Sequence, residues 1–107
     1  MSNLAAIDPL RLQDMKRHGD VVLVDVRTDQ EISRGVIPGA RHIPLHLLTA
    51  RFEEIDRSCA VVFYCQSGAR SAQASAFLSA KGWQEVYNLA GGMNAWVSKG
   101  MPVAAQS

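Results

Sequence analysis

Apolar residues along the chain fall into short β-branched and aromatic runs, separated by segments with helical spacing. Val21-Val22-Leu23-Val24-Asp25-Val26 and Ala60-Val61-Val62-Phe63-Tyr64 are nearly continuous, as in strands buried on both faces of a parallel sheet. Ala5 to Ile7, Arg41 to Ile43 and Val86 to Leu89 read as shorter strands. Asp8-Pro9 starts a helix, with Asp8 as cap and Pro9 at the first helical position. Leu10, Leu12 and Met15 form its apolar side, and Gly19 ends it. Thr28-Asp29-Gln30-Glu31 is a capping-box pattern opening a short helix that Gly35 closes. Ile37-Pro38-Gly39-Ala40 is a turn, and Leu45 to Ile55 aligns Leu48, Phe52 and Ile55 toward a core. From Ser71 to Lys81, the residues Ala74, Phe77, Leu78 and the Lys81 stem share one helical face, with Ser71 as cap and Gly82 as stop. Gly91-Gly92 turns into a last short helix carrying Trp96, and the tail beyond Pro102 reads as mobile. Strands alternating with helices predict an α/β fold, a parallel sheet covered on both faces, with ligands beyond the carboxyl ends of its strands.

A chain of 107 residues is one domain here, with a core over about 5–102, and buries roughly two-thirds of its unfolded surface without staples. The net charge of +1 gives no support for nucleic-acid or membrane binding, and no apolar run approaches the ~20 residues of a membrane span. Asp8, Pro9, Asp14 and Asp20 interrupt the first twenty residues, which lack a secretory apolar core, so the expected location is cytoplasmic. Cys59 and Cys65 flank a strand that would hold their Cα atoms about 20 Å apart. That is too far for a disulfide or a shared metal.

Cys65 is the chemical signal. It stands where the strand Ala60–Tyr64 meets Gln66-Ser67-Gly68-Ala69-Arg70-Ser71, small and polar residues that lead into a helix. Backbone N–H groups in such a loop converge and favour an anion, and a thiol placed there ionises readily. Cys65 is therefore the candidate nucleophile, set against the alternative of a small buried hydrophobe. Gln66, Ser67 and Ala69 matter mainly through their amides, Gly68 supplies the turn, and Arg70 either holds an anionic substrate or acts as a nearby cation. Cys59 reads as inert. Pro44 separates His42 from His46, which breaks the single helical turn a metal pair would need and leaves them a surface role. His18 suits a helix C-terminus. Nothing in the sequence brings any of the three histidines to Cys65. Asp25 and Arg27 read as an internal ion pair that orients neighbouring loops.

Cysteine phosphatases cradle phosphate with C-x5-R, whereas Arg70 makes this pattern C-x4-R. The smaller ring suits one extra sulfur better than a phosphoryl group. V-D-V-R-T-D-Q-E with G-V-I-P-G-A-R-H-I-P, then C-Q-S-G-A-R-S, then N-L-A-G-G-M-N-A-W occur in order. In these motifs the chain resembles the single-domain rhodanese family of sulfurtransferases, from about Ala5 to Pro102. Val36 departs from the histidine common in the family's G-H-I-P-G-A. The resemblance implies a three-layer domain with a central five-stranded parallel sheet, Cys65 as the sulfur carrier, and Gln66 to Arg70 as the loop around it. It also implies no cofactor and no metal. Thiosulfate would be the donor, and cyanide, a thiol or a protein thiol carrier the acceptor, for a chain expected to be monomeric. A sulfur-relay or regulatory binding module is the first alternative, and a cysteine phosphatase or arsenate reductase the second.

Overall fold

Short connections that pass through a helix force successive strands to run the same way, and all five strands here are parallel. The computed structural model describes residues 5–106. Its elements are β1 (Ala5–Ile7), α1 (Pro9–His18), β2 (Val21–Asp25), α2 (Asp29–Ile32), β3 (Arg41–His42), α3 (Leu45–Arg51), β4 (Ala60–Tyr64), α4 (Ala69–Ala80), β5 (Val86–Leu89) and α5 (Gly92–Ser98). A 3-10 turn, Phe52–Glu54, extends α3. The sheet order is β1-β5-β4-β2-β3, which puts β4 at its centre.

Alternation along β4 divides the core. Val61, Phe63 and Cys65 face one layer with Leu48 of α3 and Ala74 and Leu78 of α4. Val62 and Tyr64 face the other, with Leu12 of α1 and Met93 and Trp96 of α5. Helices thus cover both faces of the sheet, in three layers. The Tyr64 hydroxyl accepts a hydrogen bond from the buried Ile37 amide at 3.0 Å, which ties the turn after α2 to the central strand.

The pattern along the chain places α1 correctly but puts Leu10 on its buried side, which the structure does not. Leu12 is fully buried and Met15 half-buried, whereas Leu10 is 59% exposed, because the helix presents only a narrow stripe to the sheet. Strands β2 and β3 each end one residue earlier than the apolar runs suggest. At α2 the capping box forms as read, with the Glu31 amide donating to Thr28 Oγ1 and the Thr28 amide to Glu31 Oε1. Helix α4 starts two residues before Ser71, so Ser71 is not its cap. Gly68 holds that place, at φ 107°, a conformation open to glycine at little cost. Past Pro102, where a mobile tail is expected, Ala104 instead pairs with Val36 through two backbone bonds of 2.8 and 2.9 Å. These bonds satisfy main-chain groups that the turn after Gly35 would otherwise leave open. Ser107 lies outside the described residues. No helix among the described residues is long and apolar enough to cross a membrane.

Candidate active site

Strand β4 delivers Cys65 to the carboxyl edge of the sheet, and the turn at Gly68 folds the next residues back over it. The Gly68 amide points at Cys65 Sγ from 3.0 Å and the Ser71 amide from 3.4 Å. Ser71 Oγ stands 3.4 Å from the same sulfur. Cys65 is only 1% exposed. Burial alone would suit an inert packing thiol. Here, however, the neighbouring N–H groups turn inward and not toward solvent. Burial pushes the thiol up, but it is outweighed by the Ser71 hydroxyl and the amides of Ser71, Gly68 and Ser67, so the net shift is below the ordinary cysteine value. A thiolate is therefore more accessible at neutral pH than for a cysteine in water.

The loop is braced from behind by α5. Met93 N–H donates to the Cys65 carbonyl at 2.9 Å, and Asn94 N–H to that of Gln66 at 3.1 Å. This close docking requires glycine at position 92, where an added Cβ would lie 2.4 Å from the Cys65 carbonyl oxygen. The Gln66 side chain is fixed at both ends, accepting from Arg27 Nη1 at 3.1 Å and donating to Asn94 Oδ1 at 2.8 Å.

Two ion pairs frame the site. Arg27 and Asp25 are both buried and joined at 2.8 Å, and Arg27 also donates to the Gly35 carbonyl. These are the internal contacts anticipated for the pair, with the link to Gln66 in addition. Arg70 grips Glu31 through two parallel bonds of 2.7 and 2.8 Å. That grip, with the Thr28 hydrogen bonds, lowers the Glu31 carboxyl to about 2 despite some burial. Arg70 is thus a bound cation near Cys65, with its guanidinium committed to Glu31.

The sequence-named residues therefore divide by role. Ser67 and Gly68 turn amides to the sulfur, the Gln66 side chain ties Arg27 to Asn94, and Ala69 and Arg70 form the first turn of α4. Ser71, first read as a cap, is buried and belongs to the sulfur's immediate surroundings. Asn88 was missed as a site residue, although a lone amide between Val86 and Leu89 in a buried strand is a readable signal. Its Oδ1 lies 2.6 Å from Ser71 Oγ, and its Nδ2 donates to the Gly68 carbonyl at 3.3 Å. His42 is half-buried and bonds the Arg27 carbonyl at 2.6 Å, so a surface role does not describe it. His18 and His46 are exposed, and no histidine among the described residues bonds to Cys65. Cys59 lies before β4, half-buried, with its thiol toward Asp56 and pushed up by burial and that carboxylate. Among the described residues no group of three or more His, Cys, Asp or Glu side chains converges as a metal site would require.

The arrangement can hold an anionic sulfur and offer it to an electrophile. Known proteins agree in kind. A sulfurtransferase from Allochromatium vinosum is 50% identical over 86 residues, covering 80% of both chains. The thiosulfate sulfurtransferase GlpE of Ectopseudomonas mendocina is 35% identical over 96 residues, covering 90% of this chain and 87% of that one. Among solved structures, a rhodanese-related protein from Thermoplasma volcanium superposes with a TM-score of 0.88 at 27% identity, over 95% of this chain and 99% of the other. The Rhodanese-like domain family matches residues 8–99. With its five-stranded parallel sheet, its cysteine loop and this match along most of its length, the chain belongs to the rhodanese-like domain family of sulfurtransferases.

Proposed function

We propose that this protein moves a sulfane sulfur from a donor such as thiosulfate to a thiophilic acceptor, through a persulfide on Cys65. The observation that supports this reading most is the set of inward-facing donors on one buried sulfur, the Gly68 amide at 3.0 Å foremost. In the first step the Cys65 thiolate attacks the outer sulfur of thiosulfate. A new S–S bond forms to Cys65, the old one breaks, and sulfite leaves with its electron pair. The persulfide keeps one negative charge, and the amides of Ser67, Gly68 and Ser71 are the fixed dipoles available to stabilise it. In the second step cyanide, a small thiol or a carrier-protein thiolate attacks the outer sulfur. The Cys65–sulfur bond breaks and the thiolate is restored.

Two half-reactions on one nucleophile predict ping-pong kinetics. Treatment with thiosulfate alone should add one sulfur, about 32 Da, to the peptide carrying Cys65. Cys65→Ser should abolish both the adduct and turnover. A protein that turns over thiosulfate without the adduct, or a serine variant that keeps full activity, contradicts the proposal.

A further inference from the structure

Ser71 has one hydroxyl hydrogen, yet three acceptors surround its oxygen: Asn88 Oδ1 at 2.6 Å, the Gly68 carbonyl at 3.2 Å and Cys65 Sγ at 3.4 Å. The Gly68 carbonyl already accepts from the Ala72 amide at 3.1 Å and from Asn88 Nδ2 at 3.3 Å, which occupies both its lone pairs. That second bond also sets the orientation of the Asn88 amide. With Nδ2 on Gly68, Oδ1 must face Ser71; the flipped amide would set two carbonyl oxygens against each other. The contest for the hydrogen is therefore between Asn88 and the sulfur; the shorter oxygen contact favours Asn88 while Cys65 is a thiol, and the charge of the thiolate draws the hydrogen to the sulfur.

We propose that Asn88 is a positioning residue that governs where the Ser71 hydroxyl hydrogen points, and so how far that hydroxyl serves the Cys65 sulfur. With the hydrogen on Asn88, Ser71 turns a lone pair to Cys65 and can accept a hydrogen bond from the thiol, which favours the neutral form. With the hydrogen on the sulfur, it adds a hydroxyl donor to the backbone amides and stabilises the anion. Asn88 thus tunes the balance between thiol and thiolate without touching the sulfur itself. This inference rests on Cys65 being the working nucleophile. The other groups near that sulfur are Arg70, held by Glu31, and, beyond Gln66, Arg27, held by Asp25. Neither β5 nor α5 contributes a charged residue to this side.

The test is the pH dependence of iodoacetamide alkylation at Cys65, read by peptide mass spectrometry so that Cys59 does not enter. Asn88→Ala frees the hydroxyl for the sulfur. The alkylation midpoint should move to lower pH, and the rate at a fixed pH below it should rise roughly three- to tenfold. The same substitution in a Ser71→Ala background should leave the midpoint where Ser71→Ala alone puts it, since Asn88 acts through Ser71. Asn88→Leu, which keeps the side-chain volume, should repeat the result and guards against collapse of the alanine variant. A midpoint that stays put or rises in the single variants, or a shift that survives without the Ser71 hydroxyl, overturns the inference. Alkylation needs no sulfur donor, so this outcome is separate from the fate of the transfer reaction.

Discussion

Glu31 accepts hydrogen bonds on both sides, from the Thr28 main chain and hydroxyl at the start of α2 and from the Arg70 guanidinium at the start of α4. A carboxylate held this way is lowered to about 2, against an ordinary value of 4.5. Because the folded value is depressed, its contribution to stability is complete above the ordinary value. It is lost as pH falls from about 4.5 toward 2. Glu31→Gln should therefore lower stability at neutral pH and flatten the acid limb in that window. Urea unfolding at several pH values measures this, and parallel curves for the two proteins would contradict it. The same residue shows what is readable at this scale. Thr28 and Glu31 stand three residues apart in a pattern whose bonds are local, so sequence alone reveals them. The long-range half of the role, the grip on Arg70, depends on two loops meeting at the sheet edge and leaves no mark in the local pattern.

Among the elements, the junction between the β4–α4 loop and α5 carries the site. Gly92 sits at φ 56° with its Cα against the Cys65 carbonyl, so a side chain there meets both backbone strain and a main-chain clash. Gly92→Ala should cost more than about 2 kcal/mol in urea unfolding and should reduce turnover even where the fold persists, by pushing the loop off its brace. Wild-type stability in that variant would mean that the loop adapts freely. The misplaced start of α4 belongs here as well. Ser71 before an apolar stripe satisfies the local rule for a cap, but the helix begins at Ala69 because the turn at Gly68 must present its amide to the sulfur. A tertiary demand displaced a local preference. In α1 the same kind of override buries Leu12 and exposes Leu10, since the sheet's position decides which face of a weakly amphipathic helix is covered.

For the whole molecule, alternation of strand and helix made the parallel layered architecture legible. The order β1-β5-β4-β2-β3 did not follow from alternation, because strand neighbours are set by packing of side chains distant in the chain. The fate of the last residues was hidden for a related reason. Pro102, Val103 and Ala104 carry no turn or strand signature, yet Ala104 exchanges two hydrogen bonds with Val36, and Trp96 Nε1 donates to the Pro102 carbonyl at 2.6 Å. Removal of residues 103–107 should lower Tm by roughly 5 °C and speed hydrogen exchange at the Val36 amide. Unchanged protection at Val36 would show that the bridge contributes nothing in solution.

The near-complete enclosure of Cys65 has a further consequence under the proposed transfer. Only slender reagents reach an unloaded thiolate that deep, and thiosulfate must be among them. Once loaded, the terminal atom stands about 2 Å farther out, the length of one sulfur–sulfur bond. The cargo itself is then the reactive tip, and an acceptor need not reach as deep as the donor did.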